Sequence, residues 1–151
     1  MVNSKNMEEE KRQHLEFIQN VITRMNTNSF QIKGIAITIV SALLAVYAST
    51  PKIMLIFIGI PPTILFWFLD SYYLQQERKF RGVYNDAAGI SDKVKVNLYE
   101  MPIKEYTKNI DKKYKYCNVF FSKTIFPLYF SIMIFLLLLG FFLKYKEILI
   151  P

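Results

Sequence analysis

Two short runs in this 151-residue chain interleave cations with rings: Arg78, Lys79, Phe80, Arg81 with Tyr84, and Lys112, Lys113, Tyr114, Lys115, Tyr116. Cations neutralise phosphates and aromatic faces stack on bases, so such runs suit a single-stranded oligonucleotide or a nucleotide messenger. They equally suit a juxtamembrane segment, where basic residues and rings serve the lipid interface. On the first reading the ligand-binding set is Arg78, Lys79, Arg81, Lys112, Lys113 and Lys115. Asp70, which ends a long apolar run, has two readings of its own. It forms a structural ion pair with Lys33, or lines the mouth of a cation-selective pore as one carboxylate of a ring, and the two are not exclusive.

Other chemistry is sparse. The single histidine, His14, sits among charged residues, and the single cysteine, Cys117, excludes an intrachain disulfide. There is no Cys/His cluster of metal-ligand spacing, no Ser-centred nucleophile motif, no Gly-rich phosphate loop and no pair of intramembrane carboxylates. Neither catalysis nor a metal or cofactor is expected.

The frame that must position these residues is set by three charge-free stretches, Gly34 to Pro51, Ile53 to Leu69 and Thr124 to Leu143. Each approaches the roughly 20 apolar residues that cross a bilayer. Only Lys52 separates the first two, so they read as a tight hairpin. Burying all three in one small soluble core would hide about a third of the chain. No cleaved leader is expected, because the first thirty residues are charged and polar.

Lys and Arg are retained on the cytoplasmic side of a membrane. Of the 19, five precede the first span, one lies between the first two, eleven lie between the second and third, and two follow. This predicts three spans with the N-terminus inside and the C-terminus outside. The net charge of +7 then gathers on the inner face, where anionic headgroups or an anionic ligand would meet it.

The fold class expected is an all-α membrane protein. Residues 1–29 form a cytoplasmic amphipathic helix, 30–74 a transmembrane hairpin, 75–122 a cytoplasmic basic segment, 123–144 the third span and 145–151 an external tail. The N-terminal helix is expected to begin near Asn6, with Glu8, Glu9 and Glu10 in its first turn. Leu15, Ile18, Val21, Ile22 and Met25 give it one apolar stripe, which packs on cytoplasmic helices or lies on the membrane surface. Asn26 to Ser29 should interrupt it or cap the next helix. Val94, Val96 and Leu98 alternate with polar residues as in a short strand or extended piece, and Ile103 to Cys117 reads as a basic helix after Pro102.

In the first span Gly34, Thr38, Ser41, Ala42, Ala45, Ala48 and Ser49 recur along one helical face, which serves as a helix contact or a pore lining. In the second, Gly59, Pro61 and Pro62 should kink or unwind the helix near mid-membrane. The pore or gating candidates are therefore Asp70, Thr38, Ser41, Pro61 and Pro62.

Asn28, Ser29, Phe30, Lys33 and Gly34, with Phe66 to Leu74 and then Glu77, Arg78, Phe80, Arg81 and Tyr84, carry a resemblance over residues 28 to 84. This part of the chain resembles the RipA-like small oligomeric inner-membrane proteins of bacteria. More loosely it is similar to the transmembrane channel effectors that accompany nucleotidyltransferases in anti-phage defence, such as the Hailong type. The resemblance implies a homo-oligomer in the bacterial inner membrane, one use of which is an abortive-infection channel with a nucleotidyltransferase as partner. Joined to the basic face, it gives a channel or membrane-depolarising effector gated by an anionic nucleotide or oligonucleotide. The rival reading is a non-conducting scaffold whose stripes are packing surfaces and whose charges set topology.

Overall fold

A computed structural model describes residues 2–107 and 111–149, with side chains from residue 5 onward. The described chain is helical, without strands, and its longest elements are α1 (Val2–Ser49), α3 (Ile60–Ala87) and α5 (Phe126–Leu149). Two short helices complete the set, α2 (Met54–Ile58) and α4 (Tyr116–Phe120). Three helices are long and apolar enough to cross a membrane: α1, the α2–α3 stretch and α5.

The helix α1 starts earlier than Asn6 and has no acidic residue in its first turn, so the expected cap is not formed. It also runs unbroken through Asn26 to Ser29. Those residue types cap a helix where orphan N–H groups exist; within a helix their cost is only about 0.5 kcal/mol each, and packing outweighs it. The buried and half-buried positions show how: 14, 25, 36 and 47, then 18, 29 and 40, then 22, 33 and 44, all repeat at eleven residues. Eleven residues in three turns is 3.67 per turn, close to the helix's own 3.6, so one face stays turned inward with little supercoiling.

The chain divides into two compact units, Met1–Ser29 with Tyr72–Val119, and Phe30–Ser71 with Phe120–Pro151. In the first, Ile18 and Ile22 of α1 meet Phe80 and Val83 of α3 and the two tyrosines Tyr106 and Tyr114 in one core. The stripe on the N-terminal helix is thus covered by its own chain. The end of α3 is a Schellman turn: Ile90 N–H donates to the Asn85 carbonyl at 2.8 Å and Gly89 N–H to that of Asp86 at 3.1 Å. Gly89 takes the left-handed conformation (φ 79°) that this turn requires.

Residues 94–98 form no strand. Val94 and Val96 pack on the core and Lys93, Lys95 and Asn97 face out, but Leu98 is exposed, against the alternation, and no second strand among the described residues offers a ladder. Nor is Ile103 to Cys117 a single helix; the described part holds two 3-10 turns, Glu105–Thr107 and Lys112–Tyr114, and the start of α4. The carbonyls of Lys113 and Tyr114 accept side-chain donors from α3, Arg78 at 3.3 Å and Gln75 at 2.7 Å, and so serve no helical ladder.

In the second unit Val40, Ile56 and Leu136 form a core from α1, α2 and α5. Gly140 lets α5 approach α2 closely; a Cβ there would stand 2.7 Å from the Phe57 ring. The helix is interrupted at Gly59, and Pro61 and Pro62 occupy the first turn of α3. The missing proline donors fall among the N–H groups that a first turn leaves unused. Trp67 stacks on Phe120 at 4.2 Å and donates its indole N–H to the Phe120 carbonyl at 3.1 Å. The outward side chains of α5, Phe135, Leu138, Phe141 and Phe142 among them, are bulky and apolar, as lipid contact demands.

Candidate functional site

Helical spacing puts Arg78, Arg81 and Asn85 on one face of α3, since residues three, four and seven apart share a side. Beside them the turn Lys112–Tyr114 brings Lys113. Its position is fixed by the two α3 side chains that hold its backbone and by Tyr114, whose ring is buried against Tyr106 with centroids 5.5 Å apart. Gly82 makes this approach possible. A Cβ there would lie 2.6 Å from the Tyr114 hydroxyl and 2.7 Å from the Tyr106 ring.

The result is a cleft of about 460 Å³ lined by Arg78, Arg81, Gly82, Asn85 and Lys113. Three of its five residues are cationic. Arg81 is paired with Glu77 at 2.8 Å on one edge, while the guanidinium remains more than half exposed. Burial, partly opposed by the charge of Glu77, holds the Arg78 guanidinium below its ordinary pKa; from so high a starting value it stays charged at neutral pH. The Lys113 ammonium lies 4.9 Å over the Tyr114 ring and 3.8 Å from Asp111. A cavity of this size falls within the roughly 300–1,000 Å³ of small-ligand sites, and its lining is cationic.

A smaller pocket of about 90 Å³, which shares Gly82, Asn85 and Lys113 with the cleft, is organised by Asp86. Its carboxylate accepts from the hydroxyls of Ser91 and Tyr106 and from the backbone N–H groups of Lys93 and Val94, both at 3.2 Å. Burial alone would raise its pKa, but these four donors together hold it below the usual carboxylate value. Tyr106, partly for the same reason and chiefly through burial, is pushed well above the ordinary tyrosine value. Lys93 is engaged by Asp111 at 2.6 Å.

The structure therefore brings together three of the six basic residues singled out in the sequence. Lys79 points elsewhere, with only 5 % of its surface exposed and its pKa lowered by burial. Lys112 and Lys115 are exposed but do not line the cleft. The rings fare differently from the sequence reading: Phe80 and Tyr114 belong to the core and cannot stack on a base, whereas Tyr84 is half-buried. Asn85 was not singled out, although its place four residues after Arg81 was a usable signal.

Asp70 is fully buried, and the Lys33 ammonium contacts both of its oxygens, at 2.9 and 2.7 Å. The structural ion pair is thus present. Thr38 and Ser41 are exposed on α1, as are Gly34, Ala42, Ala45, Ala48 and Ser49. Thr38 and Ser49 spend their hydroxyls on carbonyls of their own helix, Gly34 at 2.9 Å and Ala45 at 3.4 Å. Among the described residues no group of His, Cys, Asp and Glu could hold a metal. The chain matches no family model, no curated protein and no solved structure.

Proposed function

We propose that this chain is a homo-oligomeric protein of the bacterial inner membrane, N-terminus inside, that conducts ions or depolarises the membrane under control of an anionic nucleotide or oligonucleotide. An anti-phage role, with a nucleotidyltransferase as the source of the ligand, rests on the sequence resemblance over residues 28 to 84. The observation that carries the reading is that α3 bears both halves of the device. Its first part supplies the charge-free second span and its later turns carry Arg78 and Arg81. A ligand can shift an equilibrium only through unequal affinity for two states, and a helix shared by cleft and span is a direct way to give those states different clefts.

Self-assembly is supported by the contrast between the outward faces. Those of α5 are bulky, whereas that of α1 is rich in Gly, Ala, Ser and Thr, which let helices approach closely. The hydroxyls already used within α1 favour contact over a polar pore lining on that face, and this is the observation behind a second reading, a non-conducting scaffold.

The test is conductance of the purified protein in planar bilayers, with short oligonucleotides and cyclic nucleotides added. Discrete current steps altered by one of these ligands are expected, and reversing charge with Arg78→Glu, Arg81→Glu and Lys113→Glu should abolish the response while the steps remain. Silence from intact oligomer under all conditions would overturn the channel in favour of the scaffold.

A further inference from the structure

Arg81 and Asn85 also line a second cleft, of about 210 Å³, together with Gln19 and Ile22 of α1 and Tyr84 of α3. Its chemistry is unlike that of the cationic cleft. Ile22 gives it an apolar floor, Tyr84 a half-buried ring, and Gln19 and Asn85 two amides, each with a carbonyl acceptor and an NH₂ donor. Its volume is below that of a complete small-ligand site and has room for one ring system. Arg81 and Asn85 line both clefts, so the two adjoin at one pair of side chains.

Resting on the anion-controlled reading above, we propose that the paired clefts form one bipartite nucleotide site. Phosphate occupies the Arg78, Arg81 and Lys113 side, and the base lies against Tyr84 with its edge read by Gln19 and Asn85. The inference restricts the ligand to the class in which a flat heteroaromatic ring with donors and acceptors on its rim is joined to a phosphate. Plain polyphosphates and acidic headgroups satisfy only the cationic half. Because Phe80 and Tyr114 are withdrawn into the core, there is one stacking ring at the cleft rather than the ladder that a long single strand would use, and a single terminal nucleotide is the unit recognised.

The probes are AMP and ribose 5-phosphate, which share a sugar phosphate and differ only in the base, titrated against the full chain in detergent by ligand-observed NMR. Base stacking is worth about 5- to 150-fold in affinity, so AMP should bind at least about 5-fold more tightly. Tyr84→Leu should remove that advantage and leave ribose 5-phosphate binding unchanged, Tyr84→Phe should keep it, and Arg81→Glu should weaken both probes. Equal affinity of the two probes for the unaltered protein overturns the base subsite while the anion cleft stands. Failure of both to bind overturns the anion cleft with it.

Discussion

Asp70 and Lys33 illustrate how much one side chain can commit a membrane helix. A carboxylate with no exposed surface costs several kcal/mol to remove from water, and it is tolerated because an ammonium contacts both oxygens. The two members are not equal, since the lysine keeps 20 % of its side-chain surface accessible and can lean toward the interface while the aspartate cannot. Removing one partner of such a pair typically costs about 3–5 kcal/mol, whereas replacing both by apolar residues of similar volume is often neutral. Asp70→Asn should therefore lower the melting temperature of the protein in detergent, by less than the full figure because Lys33 can reach water. The double variant Lys33→Met, Asp70→Leu should recover most of the loss. Equal losses in both variants would show that the carboxylate holds the helices by something other than this pairing.

At the scale of elements, the apolar spans were legible because lipid demands long charge-free runs, and three helices long and apolar enough stand where those runs lie. The hairpin at Lys52 was legible for the same reason. The continuity of α1 was not. Asn26 to Ser29 carry the local chemistry of a boundary, but the eleven-residue recurrence of inward positions, which overrides it, mixes His14, Ser29 and Lys33 with apolar residues and so escapes a hydrophobic-stripe search. The segment after α3 was harder still, because what shapes it is a single distant carboxylate. Asp86, well past the charge-free span, gathers Ser91, the backbone of Lys93 and Val94, and Tyr106, and no local propensity announces those partners. That arrangement has a pH signature. The Asp86 pKa is depressed on folding, so its contribution is complete above the ordinary carboxylate value near 4 and is lost as pH falls through the lower folded value. The Tyr106 pKa is raised, so its contribution is complete below about 10 and is lost at higher pH. Hydrogen exchange of residues 91–106 should accordingly be slowest between about pH 4 and 10, after correction for intrinsic rates. Asp86→Asn should flatten the acid side; unchanged acid sensitivity in that variant would place the titrating group elsewhere.

For the whole molecule the decisive quantity is which way the chain crosses the bilayer, because the two clefts can meet a cytoplasmic nucleotide only if the basic segment is inside. The distribution of Lys and Arg argues for that, with sixteen of nineteen on the side of the N-terminus and the segment between the second and third spans. The fold supplies its own probe. Cys117 is the only cysteine, it is exposed, and it lies in the same unit as the clefts. A membrane-impermeant maleimide should leave Cys117 unmodified in intact spheroplasts and label it once the membrane is opened. With Cys117→Ser in place, Lys52→Cys at the hairpin tip, also exposed, should show the reverse, reacting from outside without permeabilisation. Labelling of Cys117 in intact cells, with Lys52→Cys protected, would invert the protein and put the clefts where no cytoplasmic nucleotide could reach them. Both the gating proposal and its bipartite site would then fall together, whereas the packing of the spans, which depends on apolar burial and the Lys33–Asp70 pair, would be unaffected by the direction of insertion.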